Sequence, residues 1–274
     1  MKRVKHIALV AAAVAMTSVS TGAVAAIAVS NISATKHNLS SSSTGNGTSA
    51  TTEICVFCHT PHGADTAGGA PLWNRTVTDS TLFQTYDQLG SSTLDGTVAA
   101  VGSVSLACLS CHDGQIAMDS LLNTPGSGTV ADLGWAFNIT PSMGLDGKLV
   151  PTAITNIGLD LRNDHPVGIL YAGGGVDTTP AQAEFKDADF VVPTHETING
   201  GSYWYVDTPV GVAGERTRTD MILYTRNEGD GDKPYVECAS CHDPHVESFD
   251  VASEVAFLRV SNTGSQLCLA CHIK

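Results

Sequence analysis

The chain has 274 residues and a formal net charge of −13, with 14 basic side chains against 27 acidic ones. That balance excludes a nucleic-acid partner held through phosphate contacts and favours solubility and attraction to cations. Aromatic residues make up only 6% of the chain while glycine occurs 27 times, so the predicted fold is mostly irregular and loop-rich, with short helices and a few short strands.

Lys2, Arg3 and Lys5 form a basic start, Ile7 to Ala15 an apolar stretch, and Ala23-Val24-Ala25 a small-residue cleavage motif. Residues 1–25 therefore read as a removable export signal. A retained anchor is the weaker reading, because Ser, Thr and Gly dilute the apolar run. No other stretch is long and apolar enough to cross a bilayer. The mature chain, 26–274, suits one large domain or two small ones, and it is more acidic once the leading cations are gone.

Residues 31–53 are rich in Ser, Thr, Asn and Gly and read as a flexible loop carrying His37. Cys55-Val56-Phe57-Cys58-His59 follows and continues as Thr60-Pro61-His62. Next comes Cys108-Leu109-Ser110-Cys111-His112, and residues 113–237 then contain no cysteine. Within that stretch stands His165, in Asn163-Asp164-His165-Pro166. His195 beside Glu196 reads as a surface histidine. Tyr203-Trp204-Tyr205-Val206 and Met221-Ile222-Leu223-Tyr224 read as short strands. Glu228, Asp230 and Asp232 alternate with glycine; they offer oxygen ligands for Ca²⁺, but the spacing fits a solvated acidic turn better. Cys238-Ala239-Ser240-Cys241-His242 then runs on as Asp243-Pro244-His245. Residues 249–260 are mixed in period, and Cys268-Leu269-Ala270-Cys271-His272 closes the chain.

All eight cysteines are thus used in four C-x-x-C-H motifs. C-x-x-C alone also suits a thioredoxin-like site or half a zinc site. The histidine after every second cysteine, together with the export signal, points instead to c-type haem, four per chain and covalently bound. Cys55, Cys58, Cys108, Cys111, Cys238, Cys241, Cys268 and Cys271 are the thioether positions, and His59, His112, His242 and His272 the proximal iron ligands. The layout predicts dihaem segments at about 31–125 and 226–274 around a haem-free middle, 126–225. Haem faces would then stand in for large side chains inside, giving a haem-nucleated fold.

The other histidines nearly match the demand for distal ligands. His6 leaves with the signal. His62 and His245 are too close to their own proximal histidines to reach the far face of the same haem, but they can reach a neighbouring one. His37 and His165 complete the predicted distal set. A haem iron held by two imidazoles is closed to substrate, so its work is electron transfer rather than catalysis. Met118, Met143 and Met221 read as packing residues.

The blocks Lys36-His37-Asn38-Leu39, Ala70-Pro71-Leu72-Trp73-Asn74-Arg75 and Asp164-His165-Pro166-Val167-Gly168, combined with the C-x-x-C-H motifs, resemble the outer-surface multihaem cytochromes of metal-reducing bacteria. The resemblance covers most of the mature chain in blocks and is weakest in the middle. It implies a loop-rich, bis-histidine protein that polymerises into conductive extracellular filaments, with a histidine of one copy ligating a haem of the next. His37, on its N-terminal arm, is the candidate for that exchange. It implies as partners copies of the chain itself, other electron-transfer proteins and extracellular metal oxides such as Fe(III) oxides. The rival readings are a monomeric periplasmic shuttle and a haem reductase. A reductase needs an open iron, which four histidine-bearing motifs do not suggest.

Overall fold

The computed structural model describes residues 32–126, 135–138, 142–246 and 256–273. The export signal and residues 249–255 of the mixed-period stretch lie outside the described residues.

Five strands form one antiparallel sheet in the order β1-β5-β4-β3-β2: β1 Ile169–Leu170, β2 Thr194–Ile198, β3 Gly201–Val206, β4 Met221–Asn227 and β5 Asp232–Val236. Two tight hairpins organise it. Between β2 and β3 the chain reverses over Asn199-Gly200, both at positive φ (52° and 82°), the two-residue turn that matches the twist of paired strands. Between β4 and β5 it reverses over Glu228–Gly231, where Gly229 and Gly231 take φ of 109° and 95°, values that favour glycine. The alternating acidic residues are therefore the exposed tip of a hairpin.

The core beneath the sheet is made of the chain's own side chains. Trp204, Val206, Met221 and Leu223 pack with Tyr171, Val176, Phe185 and Val260. The indole Nε1 of Trp204 donates to the Asp177 carbonyl at 2.8 Å. Two further side-chain clusters stand outside the sheet. One joins Val56, Phe57, Met118, Phe137 and Leu149, and the other Phe83, Val101, Leu106, Leu109 and Leu161.

This corrects the predicted fold class. The expectation of an irregular, haem-nucleated chain with a few isolated strands gives way to a five-stranded antiparallel sheet over a side-chain core. The low aromatic fraction misleads because the few aromatics are concentrated. Trp204 and Tyr205 are consecutive in the sheet and almost wholly buried, and Tyr171 joins them. Met118 and Met221 are core residues, and Met143 packs against one of the clusters.

Helices are few and short: α1 Ser103–His112, α2 Cys238–Cys241 and α3 Gln266–Cys271, with scattered 3₁₀ turns. Helix α1 buries Ser105, Leu106, Ala107, Leu109 and Ser110. Its start is crowded by Gly69, where an added Cβ would meet the Ser103 backbone at 2.3 Å. The sheet leads directly into α2, because only Glu237 separates β5 from Cys238. The middle that the sequence leaves without a role is therefore the platform for the third and fourth C-x-x-C-H motifs, as Cys241, Leu267, Ala270 and Cys271 pack on its core.

Candidate functional site

Each C-x-x-C-H motif sits in or at the end of a helical turn: the 3₁₀ turn Cys55–Phe57, the end of α1, α2, and the end of α3. Residues three apart share one face of such a turn, so the spacing directs both thiols of a motif the same way. The histidine closes the turn: the backbone N–H groups of His59, His242 and His272 donate to the carbonyls of Cys55, Cys238 and Cys268 at 2.8, 3.2 and 2.9 Å. All eight cysteines are free thiols.

The first and third motifs are built alike, well beyond their shared C-H-x-P-H. His59 bridges to Trp73 and His242 to Leu258, both antiparallel. Asn74 and Arg259 donate their backbone N–H to Cys58 and Cys241 at 2.9 and 2.8 Å. Their side chains donate to the same place in each motif: Asn74 Nδ2 to the Val56 carbonyl at 2.7 Å and Arg259 Nε to the Ala239 carbonyl at 3.0 Å. The residue before each bridge, Leu72 or Phe257, takes a left-handed conformation (φ 55° and 67°). That twist aims the preceding carbonyl at the imidazole. His59 Nδ1 lies 2.7 Å from the Pro71 oxygen and His242 Nδ1 lies 3.2 Å from that of Ala256. His112 follows the same rule with the Thr155 oxygen at 2.8 Å. An imidazole whose Nδ1 donates to a carbonyl presents its Nε2 lone pair outward, the orientation and tautomer that a metal-ligating histidine needs. These supporting residues are missed from the sequence, since Pro71-Leu72-Trp73-Asn74 and Ala256-Phe257-Leu258-Arg259 share no residue in register.

Two of the predicted distal histidines face predicted proximal ones. The rings of His59 and His245 are nearly parallel, 10° apart, with centroids separated by 6.2 Å. His37 and His112 have the same 6.2 Å separation at 57°. Two imidazoles on opposite sides of one metal, each at a metal–nitrogen distance of about 2 Å, have centroids about 6 Å apart. His37 also stacks on Phe257 at 4.1 Å and has the Pro244 oxygen 3.3 Å from its Nδ1. It is thus engaged within its own chain rather than displayed on a free arm. Burial, with His112 next in size, holds its pKa down to about 4; burial likewise lowers His112 and His242. All three are neutral at neutral pH, as ligation requires. His62 and His165 are exposed, and His165 Nδ1 lies 3.1 Å from the Pro166 oxygen. His195, on β2, tilts against Trp204 at 4.8 Å, and its Nε2 is buried with no hydrogen-bond partner among the described residues. His195 is thus a half-buried histidine at the surface of the sheet, with its Nε2 covered.

The motifs share packing in chain order. Cys58 of the first and Cys111 of the second pack on one apolar cluster. Helix α1, with Cys108 of the second, packs on α2, with Cys238 of the third. Cys241 of the third and Cys271 of the fourth both pack on the sheet core. Within each half the second cysteines share a cluster, and between the halves the two helices that carry the first cysteines meet. Glu237 locks that central joint. Its carboxylate accepts from Ser105 Oγ at 2.5 Å and Arg226 Nη1 at 3.1 Å, while the Cys238 N–H donates to Ser105 Oγ at 3.0 Å.

Burial pushes the Cys58 and Cys271 thiols up to about 12 and Cys241 up to about 11. A metal ion would deprotonate thiols as it bound them, so the choice between zinc and haem rests on the histidine that follows every second cysteine. Among the described residues no group of three or more His, Cys, Asp or Glu side chains is arranged to hold a metal ion. A haem iron needs no such cluster, because the porphyrin supplies four of its donors and the protein only the axial imidazoles. The donor set therefore fits c-type haem. No protein-family model matches the chain, and no curated protein matches it either, so the site is argued from its own geometry.

Proposed function

We propose that the chain is an exported tetrahaem c-type cytochrome that carries electrons outside the cytoplasm and makes or breaks no substrate bond. The observation that carries this reading is that consecutive attachment motifs share packing: the first and second on one apolar cluster, the second and third where α1 meets α2, and the third and fourth on the sheet core. Haem bound there supplies a one-electron couple. The chain's own residues space the attachment points, and the carbonyls of Pro71, Thr155 and Ala256 orient the proximal rings. His245 and His37, whose rings lie 6.2 Å from those of His59 and His112, would supply the second imidazole of two haems.

The family resemblance extends the proposal to a conductive filament at the cell surface, passing electrons to Fe(III) oxides and receiving them from other electron-transfer proteins. The candidate for the histidine donated to a neighbouring copy is His37, which within one chain lies against His112. That same engagement of His37 favours a second reading, a monomeric periplasmic shuttle.

Expression with a c-type cytochrome maturation system is expected to yield a chain with four covalent haems by pyridine haemochrome assay and only low-spin signals by electron paramagnetic resonance. A chain without covalent haem overturns the reading. Negative-stain microscopy of the native surface fraction separates its two forms: fibres support the filament, and a monomer at high concentration supports the shuttle.

A further inference from the structure

Arg216, Thr217, Arg218, Ile222 and Arg259 line a pocket of about 360 Å³. Three guanidinium groups in one pocket are unexpected in a chain with 14 basic and 27 acidic side chains. Arg259 is only 8% exposed and is held rigidly. Its backbone N–H donates to Cys241, its Nε to the Ala239 carbonyl at 3.0 Å and its Nη1 to the Arg218 carbonyl at 2.9 Å. Those acceptors are neutral and leave its charge in place. Two carboxylates lie nearby. Asp220 is taken up by the N–H groups of Thr208 and Thr217 at 3.0 and 2.5 Å. Asp243 accepts from the His245 N–H at 3.0 Å and from Arg218 Nη2 at 3.4 Å, and forms an ion pair with Arg259 at 3.9 Å. Arg216 is exposed and forms no ion pair among the described residues. Arg218 and Arg259 thus share one carboxylate, Asp243, while Arg216, next to Glu215 in the chain, has no ion pair among the described residues. Like charges gathered this closely repel unless an anion sits between them, and the planar guanidinium fork matches a carboxylate.

We propose that Arg216, Arg218 and Arg259 form a carboxylate-binding site beside the third attachment motif. Arg259 is the fixed member, and the 216–218 loop, pinned by Thr217 on Asp220, brings the other two. The carboxylate has two possible sources. One is a propionate of a haem bound to this chain, which rests on the tetrahaem reading. The other is a free polycarboxylate, which does not.

The test is R216Q/R218Q in the haem-loaded chain; both side chains are largely exposed, and Arg259 keeps its structural contacts. R162Q, at the exposed Arg162–Asp160 pair, is the control. If a propionate fills the site, one of the four haem potentials moves to a more negative value in the double variant and acquires a pH dependence in the neutral range, with the other three unchanged. If the source is free, calorimetry detects citrate binding to the wild type, weakened about tenfold or more in the double variant. Four unchanged potentials together with no citrate heat overturn the site. A chain that carries no haem refutes the tetrahaem reading instead, and the citrate titration then decides the site alone.

Discussion

His59 and His245 belong to opposite ends of the chain, yet their rings lie parallel at 6.2 Å. His245→Ala removes one side of that pair and touches no cysteine. The expected product still carries four covalent haems, and one of the four turns high-spin in the paramagnetic resonance spectrum. A spectrum that stays wholly low-spin assigns His245 no axial role. At this scale the sequence was informative where chemistry demands one residue type. Only cysteine makes the thioether, so Cys55 or Cys268 is legible on sight. The carbonyls of Pro71, Thr155 and Ala256 were illegible, because every residue has a carbonyl and only backbone geometry selects the one that meets a ring.

Elements meet at Glu237, which ends β5, caps α2 and receives Ser105 from α1 and Arg226 from β4. Burial raises its carboxyl pKa, with Ser105 and Arg226 opposing but not cancelling that effect. Between the unfolded value of 4.5 and the raised folded one, the folded state holds the extra proton. Stability therefore falls as pH rises through that window. Glu237→Gln should flatten this dependence in urea titrations. At neutral pH it should cost about 1–3 kcal/mol, because Arg226 loses its buried charged partner and keeps only the exposed Glu228. A pH profile identical to that of the wild type would show that Glu237 is ionised throughout. Asn199-Gly200 signals a hairpin turn, but β2, Thr194-His195-Glu196-Thr197-Ile198, has too polar a composition to mark its own side of the hairpin as a strand. The remaining strands were less legible: β5 contains Asp232, Lys233 and Pro234, a poor strand composition that pairing with β4 and β1 overrides.

On the scale of the whole molecule, the core under the sheet consists of side chains, with Trp204 at its centre and 1% exposed. A chain with all eight cysteines changed to serine should therefore keep a cooperative unfolding transition and the near-ultraviolet signal of a packed tryptophan. Adding Trp204→Ala should cost about 3–5 kcal/mol. Loss of the transition in the serine chain alone would mean that the attachment region holds the core. The sequence by itself determined the number and position of the four C-x-x-C-H motifs, since their spacing acts within five residues. It also announced a shared C-H-x-P-H plan. Tertiary structure alone decided that consecutive motifs share packing, that His245 faces His59 and His37 faces His112, and that the cysteine-free middle becomes the platform of one half. Those facts depend on contacts between residues far apart in the chain, where hydrophobic burial selects the partners and no local pattern records the choice.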